Sequence, residues 1–270
     1  MFKKASIFIY ALMILGVVIF EWLALRPTSC WTAGKLLKIE LSRGALTVFD
    51  FPSKKTTTSA VMIFGSGDGG WGNLEEDICQ AFQDQGYEII GIDSCAYAKS
   101  DYNLDVLQSD YAKIAQTIRA RFGNHPPPLI VGGYSMGAAQ AIAVSGGPHP
   151  PQGLIGLVVI DPLSRGRYGL HQLDQLDVLP IGPGTFGVDS FCRSMGSLRV
   201  VQWHAEKDNI DSSRWLDSLT AHYKFFTFLG TGHSYDTNRA GFLGQLVQSA
   251  QWIIDPMSDD SMTGKTNPKP

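Results

Sequence analysis

The sequence has 270 residues, of which 44% are hydrophobic and 17% charged, with a formal net charge of −3. That balance provides material for one large core or two small ones and excludes the basic footprint of a nucleic-acid binder. No repeat with a period of roughly 20–50 residues runs through it, so solenoids and propellers are excluded too.

The chain begins MFKK and continues with the uncharged run ASIFIYALMILGVVIF before EWLALR. A helix over Ala5–Leu25 would be roughly 31 Å long, about one hydrocarbon core. Residues 1–26 are therefore expected to be a transmembrane anchor or a signal segment. Trp22 and Glu21 fall where the far interface would be, and no good small-x-small cleavage site follows directly. Lys3 and Lys4 keep the N-terminus cytoplasmic, which sends residues 27–270 across the membrane. The folded domain is expected over 35–256, and the apolar-poor tail 257–270 is expected to be disordered.

From residue 35 short apolar runs alternate with longer amphipathic ones. LLKIEL (36–41) and ALTVFDF (45–51) alternate at period two and predict an antiparallel pair. AVMIFG (60–65) is continuously apolar, as a strand buried on both faces should be. A helix is predicted over 71–86, ended by Gly86, then a strand over 87–94 and a helix over 105–123. PLIVGG (128–133) predicts a strand running into Ser135, with the helix MGAAQAIAVSG behind it. Strands follow at 154–162, 198–205 and 224–230, with helices predicted from SRWLDSLTAHY and GFLGQLVQSAQWII. This alternation predicts an α/β fold whose mostly parallel sheet of about eight strands is flanked by helices.

The cysteines Cys30, Cys79, Cys95 and Cys192 lack metal-ligand spacing. Either a Cys79–Cys95 disulfide or free buried thiols fit them. No HExxH or acidic cluster suggests a metal, and the glycine-rich loop at 65–71 lacks the GK[ST] of a nucleotide-binding loop, so neither a metal nor a cofactor is expected.

The motif GYSMG places Ser135 between Gly133 and Gly137, at a junction from buried strand to small-residue helix. A GxSxG pattern alone decides little, but this is the setting in which it forms a nucleophile turn. Glycines on both sides admit a strained backbone and close neighbours, and the helix N-terminus offers N–H groups to developing negative charge. A serine hydroxyl needs a base, and the base an orienting carboxylate. Of six histidines, five sit in turns, loops or helices or precede any suitable acid, His204 among the last. His233, in LGTGHSYD, follows the last strand on a glycine-led loop and is the candidate base. Asp208, in HAEKDNID after the preceding strand, is the candidate acid; its rivals are Asp161 in VVIDP, Glu206 and Asp211. The oxyanion donors are expected from Met136 and from Ser66 or Gly67 in GSGDGGW.

With GSGDGGW, IIGIDS (89–94), GGYSMGA (132–138) and GTGHSYD (230–236) in place, the chain resembles the α/β-hydrolase superfamily, and within it the bacterial VirJ/AcvB-like virulence proteins. The likeness covers roughly residues 58–250. It implies an α/β-hydrolase fold and a serine esterase of the periplasm, anchored by one span in the bacterial inner membrane. The implied substrate is a membrane phospholipid, aminoacyl-phosphatidylglycerol such as lysyl-phosphatidylglycerol. The implied catalytic residues are Ser135, His233 and Asp208. Segment 162–192 departs from the family pattern. With Tyr168, Leu170, Leu173, Leu176, Leu179 and Phe186 it predicts either a lid or lipid-facing wall, or an inserted helix packed on the core. Asp68, Asp93 and Asp101 could receive a cationic aminoacyl group. The competing functions are a general carboxylesterase or acyltransferase of the envelope, and a non-catalytic assembly or chaperone protein.

Overall fold

The structure, a computed structural model, describes residues 33–171, 174, 179–209, 214–255 and 265–266. Ala33–Pro270 form one unit. The expected anchor, Cys30 and the tail other than residues 265–266 lie outside the described residues. Among the described residues no helix is long and apolar enough to cross a membrane.

The chain opens with the expected antiparallel pair, β1 (Lys35–Leu41) and β2 (Gly44–Phe51). Next come β3 (Ala60–Gly65), α1 (Asn73–Asp84), β4 (Tyr87–Ile92), the single turn α2 (Ser94–Tyr97) and α3 (Leu104–Arg119). The centre is built by β5 (Leu129–Tyr134), α4 (Met136–Gly146) and β6 (Leu154–Ile160). A two-stranded ribbon, β7 (Arg165–Arg167) with β8 (Thr185–Gly187), precedes β9 (Arg199–Ala205), β10 (His222–Phe228), α5 (Arg239–Ile254) and β11 (Lys265–Thr266). The main sheet has the order β1-β2-β4-β3-β5-β6-β9-β10-β11. It is parallel from β4 through β10 and antiparallel at both margins. The strand order steps outward in both directions from the β3–β5 neighbourhood, so a crevice opens at their carboxyl ends, where ligand sites form in such sheets.

Alternation along the buried strands explains the layering. Val61, Ile63, Ile90, Leu129, Val131 and Val159 face α3 and α4, whereas Met62, Phe64, Ile89, Ile130, Val158 and Trp203 face α1 and α5. Side chains of period two thus serve two cores at once, which is why β3, β4 and β5 read as unbroken apolar runs. Each fully buried aliphatic or aromatic side chain contributes about 1.5–3 kcal/mol.

One expectation is corrected and two open alternatives are narrowed. SRWLDSLTAHY does not form a helix. Its described part is one 3₁₀ segment, Arg214–Ser218, and His222 begins β10, paired with Arg199 of β9. Pairing of His222 and Tyr223 with the neighbouring strand outweighs the helical spacing of Trp215 and Leu219. Cys79 and Cys95 are separate thiols, Cys79 on the buried face of α1 and Cys95 on α2.

Segment 162–192 is no inserted helix where it is described. It is the β7–β8 ribbon followed by a 3₁₀ helix, Val188–Ser194. Tyr168 stacks on Phe186 at 4.5 Å, and Phe186 meets Phe191 edge-on at 5.7 Å. Arg167, nearly buried, pairs with Asp174 at 2.7 Å and donates to the carbonyls of Pro183 and Ile181. Leu179 and Ile181 face solvent, while Leu173 and Leu176 lie outside the described residues.

Candidate active site

The turn between β5 and α4 shows why its glycines are needed. Ser135 has φ 52° and ψ −113°, outside the regions that non-glycine residues favour. A Cβ on Gly133 would lie 2.4 Å from the Gly137 carbonyl carbon, and one on Gly137 equally close to that of Gly65. The helix can start directly under Ser135 only because these backbones touch. Ser135 N–H donates to Ile160 O at 2.9 Å and Gly137 N–H to Ser66 O at 3.0 Å, which pins the turn to both neighbouring strands.

Met136 is the first residue of α4, so its N–H has no intrahelical acceptor and is available to an anion. In the loop after β3 the two expected donors separate. Ser66 N–H is bonded to Ile92 O at 2.9 Å, and its hydroxyl accepts from Ser94 N–H, which makes Ser66 a strut between strands. This corrects its expected role as an oxyanion donor. Gly67 remains, with a Cβ position 3.7 Å from Ser135 Cβ and an N–H held only by a 3.3 Å bond to Glu75 Oε1. Glu75 also accepts from Gly72 N–H at 3.1 Å. Burial, aided by the charge of Asp93, pushes its carboxyl above the ordinary range against the pull of these backbone bonds.

His233 lies on the loop after β10, its Nδ1 2.6 Å from Asp208 Oδ2. That short contact is a charge-assisted hydrogen bond. The loops are sewn together: Glu206 N–H donates to Phe228 O, Lys207 N–H to Thr231 O, and Gly230 N–H to the Glu206 carboxylate. Glu206 is thereby occupied away from the imidazole, and Asp211 lies outside the described residues. Burial alone would lower the His233 pKa. The hydrogen bond to Asp208 and the charges of Asp208, Asp161 and Asp68 outweigh it and hold the group above 6.5.

Tyr134, which directly precedes Ser135, carries the imidazole on its ring at 4.8 Å between centroids and donates its hydroxyl to His233 O at 2.9 Å. No hydrogen bond joins Ser135 Oγ to His233 among the described residues; catalytic bonds in ligand-free sites are often long and tighten around substrate.

Asp161 follows β6 at φ 42° and is fully buried. Its Oδ1 contacts His204 Nδ1 at 2.9 Å and accepts from Ala205 N–H at 3.1 Å; its Oδ2 lies 3.9 Å from His233 Nδ1. Asp161, Asp208 and His233 bring one polar atom each within 4.8 Å of one another. Tyr235 is buried beside this group, its phenol pushed up by burial and by Asp161, though outside normal hydrogen-bond geometry. Tyr134 and Tyr235 escape the sequence reading, and His204, set aside there, proves to be the partner of Asp161. The available signal was adjacency, since Tyr134 abuts Ser135 and Tyr235 lies two residues beyond His233.

Of the aspartates considered for a cationic group, Asp68 acts electrostatically on His233 and Asp93 caps α2 through Ala96 N–H. Asp101 stands exposed 3.6 Å from His171.

This strand order, with a serine on the turn after β5 and a carboxylate–imidazole pair after β9 and β10, is the α/β-hydrolase fold. Residues 59–145 match the family model described as bacterial virulence protein (VirJ), so the chain is VirJ-like across β3 through α4.

Similar solved structures include the esterase domain of a Rhodothermus marinus protein, at 18% identity and a TM-score of 0.60, covering 81% of this chain and 97% of that one. A monoglyceride lipase of Saccharomyces cerevisiae in complex with a substrate analogue is 12% identical, with a TM-score of 0.58 over 85% of this chain and 97% of the lipase. A serine hydrolase of Xanthomonas campestris described as lacking a lid is 18% identical, with a TM-score of 0.54 over 84% of this chain and 97% of that one. No curated protein matches the sequence.

Proposed function

We propose that the protein is an extracytoplasmic serine hydrolase that cleaves the aminoacyl ester of aminoacyl-phosphatidylglycerol, such as lysyl-phosphatidylglycerol. Residues 1–26 anchor it in a bacterial inner membrane with the catalytic unit in the periplasm. The reading rests most heavily on one observation: the 2.6 Å His233–Asp208 contact on loops that reach the same sheet edge as the strained Ser135. The VirJ-like match over 59–145 supports the choice of substrate.

In this mechanism Ser135 Oγ attacks the aminoacyl carbonyl while His233 Nε2 takes its proton, Nδ1–H remaining on Asp208. The tetrahedral oxyanion is received by the N–H groups of Met136 and Gly67. Collapse breaks the ester bond, and His233 returns the proton to the departing glycerol hydroxyl of phosphatidylglycerol. Water, activated by the same imidazole, then cleaves the acyl-enzyme, freeing the amino acid and Ser135. The acidic residues Asp68 and Asp93 near this edge favour a cationic aminoacyl group over a neutral one.

The experiment presents lysyl-phosphatidylglycerol vesicles to the full chain and to Ser135→Ala. Amino-acid release by the parent alone is expected; release by Ser135→Ala at the parent's rate refutes the assignment. The fold likeness to an esterase domain and a monoglyceride lipase favours a second reading, a broader carboxylesterase. Fatty-acid release without amino-acid release would select it.

A further inference from the structure

The site contains one carboxylate more than its chemistry needs. Asp161 is fully buried, and withdrawing a carboxylate from water costs several kcal/mol unless both oxygens are compensated. Its Oδ1 is compensated by His204 Nδ1 and Ala205 N–H; its Oδ2, beside which the buried Tyr235 hydroxyl also lies, has no hydrogen bond of normal geometry among the described residues and lies 3.9 Å from His233 Nδ1. The residue also sits at φ 42°, so the backbone is strained where the side chain is uncompensated. The second oxygen is thus placed where its charge can act on the imidazole.

We infer that His233 is governed by two carboxylates, Asp208 as its hydrogen-bonded acid and Asp161 as a second, rigidly held positioning charge that can take over the Nδ1 proton when Asp208 is lost. The inference rests on the reading of Ser135 and His233 as nucleophile and base.

The geometry divides the roles. A single Nδ1–H directs one linear hydrogen bond, and Asp208 at 2.6 Å holds it. At 3.9 Å Asp161 acts through charge, stabilising the imidazolium that forms as Ser135 gives up its proton. Asp161 approaches from the end of β6 and Asp208 from the end of β9, so the two carboxylates do not share a mobile loop. The other groups facing His233 are Asp68 from the loop after β3, Tyr134 from β5, His204 from β9 and Tyr235 from its own loop. Among the described residues, Asp208 and Asp161 are the acids that approach Nδ1 within 4 Å. His204 keeps Asp161 Oδ1 occupied and so leaves Oδ2 turned toward the base.

The test uses the full chain in detergent. First, side-chain ¹⁵N NMR titration of His233 is compared in Ser135→Ala and Ser135→Ala/Asp161→Asn. Removing the second charge should lower the midpoint by about one pH unit, since an opposite charge at this distance shifts a pKa by roughly that much or more. An unmoved midpoint overturns the inference, whereas a purely structural role would alter stability without moving it.

Second, Asp208→Ala, which leaves the Asp161–His204 pair intact, should slow fluorophosphonate labelling of Ser135 only about 10–100-fold. Neutralising a lone acid costs ~10,000-fold. The double variant Asp208→Ala/Asp161→Asn should fall to the lone-acid level. Labelling of Asp208→Ala already at that level overturns the inference, and this arm decides it if Asp161→Asn does not fold. A parent chain that never labels at Ser135 instead overturns the underlying serine-hydrolase reading.

Discussion

Residues 60–146 and residues 162–194 are built on different principles, although both border the crevice. The first region is assembled from short-range information: apolar runs buried on two faces, glycines at several of the turns, and helices of regular spacing. The second buries Val188, Phe191 and Cys192 in the core, while its ribbon is held by a few specific side-chain bonds. Arg167, 5% exposed in its side chain, clamps Asp174 and two carbonyls, and the aromatic series Tyr102, Tyr168, Phe186, Phe191 connects the ribbon to the core. The turn that carries Ser135 rests on a redundant scaffold, and the ribbon on a few specific contacts.

That contrast can be broken at defined points. Ser135→Ala, in the redundant region, should keep its melting transition yet lose about 10,000-fold or more in ester hydrolysis, read as amino-acid release. Arg167→Ala, in the sparse region, should do the reverse. It strands the buried Asp174 carboxylate and costs about 3–5 kcal/mol locally, read as rapid proteolysis within 162–192 while the main sheet stays protected.

Gly137→Ala tests the limit of the redundancy. Its methyl group would overlap the Gly65 carbonyl at 2.4 Å, so about 1–3 kcal/mol of global stability should be lost in a denaturant melt, with Ser135 displaced.

The smallest effect concerns pH. A neutral His233 is needed to accept the serine proton, and its folded pKa is raised, so hydrolysis should increase with pH through a midpoint above 6.5. The stability attached to this group has the opposite slope: fully present below its unfolded value, it is lost as pH rises through the folded one.

What could be read in advance follows the same division. Ser135 and His233 were legible because their loops follow buried strands and are marked by glycine, and Asp208 because it follows the strand between them. The donor at Gly67 could be narrowed only to a pair, because the bond from Ser66 N–H to Ile92 O belongs to β4, some 26 positions along the chain (92 minus 66). Asp161 was visible as a rival acid, but its bond to His204 spans 43 residues and leaves no local pattern. The helix expected before β10 failed for a related reason. His222 and Tyr223 have a strand waiting beside them, and tertiary pairing overrides their spacing.

The segment between β6 and β9 departs from and rejoins two strands that are bonded to each other, Val158 opposite Val201. Its length is therefore decoupled from the register of every neighbour, and doubling such a loop costs only about 0.6 kcal/mol in closure entropy. The segment can thus change in length without shifting the strand ends that carry Asp161 and Asp208.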